Sequence, residues 1–305
     1  MWTIKQSCLW CVLFWPHEAQ AWGPGIHLQL ALDCLDNIAL AAPVIAKVVS
    51  RFPRDFLYGA VSPDIFLSKM RAGHLFHCHN WRMGRLLLSE ATTDRLRASV
   101  YGYLTHLAAD VVAHNYYVPY KIIRSYNARI VAPHTYWEMR FDLTVPARAW
   151  DAVPDIVQGD YHEFDALLER VLKKTLFSFK TSKRIFTSIL VVNKIRQLQN
   201  SLRRFAAQSR LTLAEPRVTH FRSLLTTTID DFLHDPEHAP CLNGDPTGHA
   251  REAEAFRLVK RMREAKRRRA LSVEQIERLI TLCDKRLAHA VYQADMQWPD
   301  IYDVA

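Results

Sequence analysis

Between Tyr103 and Pro119 the chain reads YLTHLAADVVAHNYYVP, and this stretch restricts the fold more tightly than any other. His106, Asp110 and His114 recur every four residues. At 3.6 residues per turn each step drifts about 40°, so a helix carries all three on one face. Their neighbours are Leu, Ala and Val, residues that favour the interior. Burying that face without partners costs several kcal/mol, so other segments must bring matching groups to it. A lone histidine on an apolar face is ordinarily a hydrogen-bonded core residue. Two imidazoles with a carboxylate between them are satisfied most simply by a metal ion.

The rest of the sequence suits a helical frame around that stripe. The chain has 305 residues, 49% of them apolar, and only 9 Gly. It lacks GxGxxG, GxxxxGK[ST] and GxSxG, which argues against a dinucleotide fold, a P-loop enzyme and an α/β-hydrolase. After Pro24, apolar spacing over Ile26 to Val49 predicts a helix or two, whereas Arg51 to Lys69, richer in Pro and Gly, predicts a loop with short helical pieces. Thr93 as cap and Asp94 in the first turn predict a long helix to about Tyr117. Another helix follows Pro133, and Asp165 to Ser209 and Pro216 to Leu233 read as amphipathic helices. The Pro-, Gly- and His-rich stretch His234 to Gly248 is the one plausible linker. No strand alternation or internal repeat is visible. The expectation is an all-α, multi-helix bundle: one domain over 22–305, with its ligands in 22–138 and a helical C-terminal extension, 155–305, packed on it.

Residues 1–21 carry Lys5, an apolar middle from Cys8 to Trp15, a break at Pro16 and the small-x-small run Ala19-Gln20-Ala21. This pattern predicts a signal peptide cut after Ala21, a secreted or periplasmic protein and a new amino terminus at Trp22. The apolar middle is too short to span a bilayer, and no later stretch reaches about 18 consecutive apolar residues, so no transmembrane segment is expected in the mature chain. Cys8 and Cys11 leave with the signal. Cys34, Cys78, Cys241 and Cys283 allow three pairings, and buried free thiols fit their wide spacing equally well.

Further ligand-type residues flank the central stripe. PHTYWEMRFD sets His134 and Glu138 at i and i+4; GAVSPDIF supplies Asp64; GHLFHCHNW supplies His74, His77 and His79; WGPGIH places His27 five residues after Trp22. A freed α-amine, with a reference pKa of about 7.7 to 8.0, can chelate a metal together with its own carbonyl oxygen. In order, Trp22, His27, Asp64, His79, His106, Asp110, His114, His134 and Glu138 make the sequence similar to the zinc-dependent phospholipase C and S1/P1 nuclease superfamily, most closely its bacterial phospholipase branch. The resemblance implies three Zn2+ ions: one held by Asp64, His79, His106 and Asp110, with His77 as the alternative to His79; a second held by His114, His134 and Glu138; a third held by the Trp22 amine and carbonyl, His27 and a bridging Asp110. It also implies phosphodiester hydrolysis by a metal-bound hydroxide, with Asp64 as the catalytic proton acceptor.

The implied substrate is a glycerophospholipid at a membrane surface, and the alternatives are a P1-like attack on single-stranded nucleic acid or 3′-nucleotides and a non-catalytic, zinc-stabilised binding domain. Choline-selecting phospholipases place an acidic residue and an aromatic where this chain has Gly25 and Ile65, although Phe76 matches an aromatic of their motif. The nucleases place a base-stacking aromatic where it has Asn80. The run KRMREAKRRR, Lys260 to Arg269, reads as a solvated helix face, with contact to anionic lipid or nucleic acid as the alternative. Tyr116, Tyr117, Tyr120, Tyr136 and Trp137 are expected in the core, Cys78 buried, and His234, His238 and His249 exposed.

Overall fold

Proline opens many of the helices. Pro24, Pro43, Pro53, Pro133, Pro154 and Pro216 each stand in a first turn, where the missing N–H has no intrahelical partner to lose. The computed structural model describes residues 23–65, 78–130, 132–172, 178–209 and 211–304. In order these form α1 (Pro24–Asp36), α2 (Pro43–Arg51), α3 (Pro53–Val61), α4 (Trp81–Glu90), α5 (Asp94–Val112), α6 (Val118–Arg124), α7 (Pro133–Asp142), α8 (Ala147–Asp151), α9 (Val153–Val157), α10 (His162–Val171), α11 (Phe179–Asn193), α12 (Arg196–Gln208), α13 (Glu215–His234), α14 (His249–Arg267) and α15 (Val273–His289). No strand occurs among the described residues, so the architecture is the all-α bundle expected.

Helix α5 is the axis. Thr93 caps it, accepting from Leu96 N, and from Ala98 to Val112 every residue is buried. Such all-round burial belongs to a helix enclosed by others. Helix α3 crosses it at glycines. A Cβ on Gly59 would lie 1.9 Å from the Ser99 carbonyl oxygen, and one on Gly102 would lie 2.0 Å from that of Phe56. Only backbones without side chains approach so closely, and the approach brings the Ala60 carbonyl to His106.

Three expectations need correcting. The Arg51–Lys69 segment holds a full helix, α3, because Pro53 initiates it and Gly59 serves packing rather than a turn. The central helix does not stop near Tyr117: a π-helical turn, Ala113–Tyr117, carries it into α6. Pro119 has no N–H for the Asn115 carbonyl, and a wider turn relieves that loss. His234–Gly248 is no free linker. Its Gly244 carbonyl accepts from Trp81 Nε1 at 2.9 Å, its Asp245 carbonyl accepts from Asn115 Nδ2 at 2.8 Å, and Cys241 is buried.

Cys34, Cys78, Cys241 and Cys283 are buried free thiols. Tyr116, Tyr117 and Trp137 lie in the core, whereas Tyr120 and Tyr136 pack partly buried against it. No described helix is long and apolar enough to cross a membrane.

Candidate metal centre

The face of α5 predicted from its spacing looks inward, and around His106 and Asp110 it gathers groups from three other segments. His27 comes from α1, Asp64 from the 3-10 turn Ser62–Ile65 after α3, and His79 from the loop before α4. All are buried with His106 and Asp110. His79 Nε2 lies 3.0 Å from His106 Nε2, 3.3 Å from Asp64 Oδ1 and 3.4 Å from Asp110 Oδ2. His106 Nε2 is 3.2 Å from Asp110 Oδ2. The His27 ring stacks on that of His106 at 3.6 Å, and its Nε2 is 3.5 Å from Asp110 Oδ1. Asp110 thus stands between His27 on one side and His79 and His106 on the other.

A second cluster sits one turn further along. His114 Nε2 is 3.2 Å, and His134 Nε2 2.7 Å, from Glu138 Oε1. The π turn begins beside His114, so α5 holds its α-helical register through Asp110 and widens only where Pro119 demands it.

The donor set fits a cation. A carbonyl can only accept, so the bonds from Nδ1 of His106 to Ala60 and from Nδ1 of His114 to Pro246 fix their protons on Nδ1. His134 Nδ1 likewise faces Glu252 Oε2 at 2.9 Å. With that proton outward, each ring turns its Nε2 inward, toward carboxylate oxygens and other imidazoles. Acceptors facing acceptors at about 3 Å repel unless a positive charge lies between them. His27 Nε2 and Asp110 Oδ1 are buried without a hydrogen-bond partner, a costly state in a protein-only environment and the ordinary one for metal ligands. His27, Asp64 and His106; His79, His106 and Asp110; and His114, His134 and Glu138 each bring three ligand atoms within 4.8 Å of one another.

The electrostatics agree. Burial, then the neighbouring His106, keep His27 well below the usual imidazole range. Burial raises the Asp110 carboxyl despite the imidazoles around it. At His106, burial opposes protonation but Asp110 and Asp64 prevail, so it is raised; at His134, Glu138 and Glu252 overcome burial in the same way. The cluster attracts positive charge, and imidazole with carboxylate suits zinc better than Mg2+ or Ca2+.

Of the nine residues picked from sequence, eight are brought together: His27, Asp64, His79, His106, Asp110, His114, His134 and Glu138. Trp22, His74 and His77 lie outside the described residues. Asn80 has a structural task, accepting from Arg82 N at 2.8 Å as the cap of α4. His234, His238 and His249 are exposed, as expected.

Sequence reasoning missed the supporting shell. Glu252, from α14, orients His134; the Pro246 and Ala60 carbonyls orient His114 and His106; Cys78 Sγ is 3.1 Å from His79 Nδ1. Asp142 was also missed. Its Oδ1 accepts from Ile26 N at 2.7 Å and its Oδ2 from Gly25 N at 3.4 Å, which fixes the first turn of α1 beside His27. Burial lifts its carboxyl to about 7. Apart from Cys78, which adjoins His79 in sequence, none of these contacts has a local spacing, so only a three-dimensional arrangement reveals them.

A zinc dependent phospholipase C family model matches residues 26–183, more than half of the chain. No curated protein and no solved structure matches it. The match contains every described ligand-type residue of both clusters, in an all-α frame whose interior calls for cations. The chain belongs to the zinc dependent phospholipase C family.

Proposed function

We propose that the protein is an exported phosphodiesterase that hydrolyses glycerophospholipids, releasing a phosphorylated head group and leaving diacylglycerol. The observation that carries this reading is the convergence of buried imidazole nitrogens from His27, His79, His106, His114 and His134 on Asp64, Asp110 and Glu138, within the family match. Three zinc ions are the expected complement. Asp64, His79, His106 and Asp110 would hold one, His114, His134 and Glu138 a second, and His27 with Asp110 and the freed Trp22 terminus a third. Zinc bound there supplies Lewis acidity, lowering the pKa of water and neutralising charge on the phosphoryl oxygens.

The chain's own residues divide the remaining work. Asp64 is 9% exposed where Asp110 is fully buried, so Asp64 is the carboxylate at the edge of the cluster and the better placed to take a proton from an attacking water. Asp110 instead joins the two sides of its cluster. The outward Nδ1–H bonds of His106, His114 and His134 hold their rings in one orientation, which spares reorganisation during the reaction. Asn80, engaged as a helix cap, offers no base-stacking surface, and this favours lipid over nucleic acid.

The test is zinc content together with turnover of phosphatidylcholine and phosphatidylethanolamine vesicles and of single-stranded DNA. Lipid hydrolysis with DNA untouched supports the reading. DNA cleavage without lipid turnover would reverse it in favour of a nuclease, and bound zinc with neither activity would leave a zinc-stabilised binding domain.

A further inference from the structure

One long segment of the chain is cationic without any acidic residue. Residues 178–209 hold Lys180, Lys183, Arg184, Lys194, Arg196, Arg203 and Arg204 and not one Asp or Glu, so this hairpin of α11 and α12 carries seven of the nine net positive charges. Lys183, Arg196 and Arg203 are engaged, with Asp165, Asp151 and the Leu143 carbonyl.

Helix α12 is amphipathic but almost unburied. Ile195, Leu198, Leu202 and Phe205 follow i, i+3, i+7, i+10 spacing, which confines them to an arc of about 80° on a helix of 3.6 residues per turn. In a globular protein such a stripe normally faces the interior. Here α12 buries only Gln199, none of the four belongs to the hydrophobic core, and Phe205 is 67% and Ile195 45% exposed. Val191, at the end of α11, is 47% exposed beside them. An apolar stripe flanked by cations, without acids, is the composition of a helix that lies in a lipid interface.

Its position bears on the active centre. Helix α11 packs against the Ser62–Ile65 turn that carries Asp64. At the other end of the hairpin, Ser209 Oγ is 3.2 Å from the hydroxyl of Tyr136, two residues from His134. The hairpin therefore borders both clusters, and α12 lies beyond residues 26–183, outside the part of the chain matched to the family.

We infer that the α11–α12 hairpin is the surface with which the protein docks on an anionic phospholipid bilayer, α12 lying in the interface with Ile195, Leu198, Leu202 and Phe205 among the acyl chains. Charge complementarity selects this occupant: the cations meet lipid phosphates and the stripe meets the apolar layer, which neither nucleic acid nor water would accommodate. As a statement about the substrate surface, this rests on the phospholipase reading above, although docking is measured without it.

The test is co-sedimentation of the full protein with vesicles of equimolar phosphatidylcholine and phosphatidylglycerol, beside turnover of the same vesicles and of a monomeric short-chain phosphatidylcholine. Ile195→Asp with Phe205→Asp should lower vesicle binding at least about tenfold. Lys194→Glu with Arg204→Glu, reversing one half-buried and one exposed charge, should do the same at low salt. Both should depress turnover of vesicles and leave turnover of monomeric lipid as in the wild type. Lys260→Gln with Arg267→Gln, in the other basic run, should bind as the wild type does. If neither lipid is hydrolysed, the phospholipase reading falls while the binding result still decides docking. The inference is overturned if the wild type ignores the vesicles, if either hairpin variant binds them normally, if the Lys260/Arg267 variant is the one that loses binding, or if the hairpin variants instead dissociate a dimer or lose single-stranded DNA.

Discussion

Glu252 offers a sharp test of the metal centre because it touches the site only through His134. Its Oε2 accepts from His134 Nδ1 at 2.9 Å, and burial would raise its carboxyl, yet that bond and the imidazole charges around it hold it below the ordinary range. A carboxylate in this place fixes the ring and makes its Nε2 a stronger ligand. Gln keeps an acceptor for the Nδ1 proton and removes the charge. A hydrogen bond to an ionised group contributes about 1.5–3 kcal/mol and a neutral one about 1, so Glu252→Gln forfeits about 1 kcal/mol, or roughly fivefold to tenfold in zinc affinity. Glu252→Ala removes the acceptor as well and should lose about a hundredfold. The assay is zinc titration against a fluorescent chelator, with circular dichroism reporting the fold. One zinc of the set should weaken in the order wild type, Gln, Ala, while the others stay put. Equal affinities in all three proteins would refute the argument. So would a loss shared by every zinc in a protein that remains folded.

Other consequences follow from the packing. Gly59→Ala would drive a Cβ into the Ser99 carbonyl, so it should destabilise the fold by about 3 kcal/mol, read in a urea titration, and weaken zinc binding by displacing Ala60 from His106. A Cβ on Gly25 would lie 2.3 Å from the Trp150 ring and 2.8 Å from Asp142 Oδ1, so Gly25→Ala should lower the melting temperature and loosen the zinc assigned to His27. Lys121 is pressed over the Trp137 ring at 4.4 Å, and burial lowers its amine from 10.5 to about 8. The unfolded chain holds this proton more tightly, so stability should rise with pH between about 8 and 10.5. Lys121→Met should gain about 2 kcal/mol at pH 7 and flatten that rise, an outcome read from urea titrations across the range.

The candidate ligand residues were legible because the chemistry leaves a local mark. His106, Asp110 and His114 share a face by arithmetic alone, and His134 with Glu138 repeats the pattern. The helical class followed from the same periodicity and from scarce glycine. What escaped were relations between distant segments. Gly59 reads as a loop residue until Gly102 is seen beneath it, and the His234–Gly248 stretch reads as a linker until its Pro246 carbonyl is found on His114. Glu252 is one charge on a highly charged helix, indistinguishable in sequence from Glu254. The unburied stripe of α12 was invisible for the opposite reason: spacing predicts an amphipathic helix without saying whether anything covers its apolar face.

The central claim is that buried imidazoles and carboxylates from separate segments form one polynuclear zinc centre. Elemental analysis of the purified protein, on material whose amino terminus has been sequenced, tests it most directly. Three zinc ions per chain beginning at Trp22, and one fewer when residues are added ahead of Trp22, are the predicted results. Folded protein that carries no zinc and takes up none on titration would contradict the account.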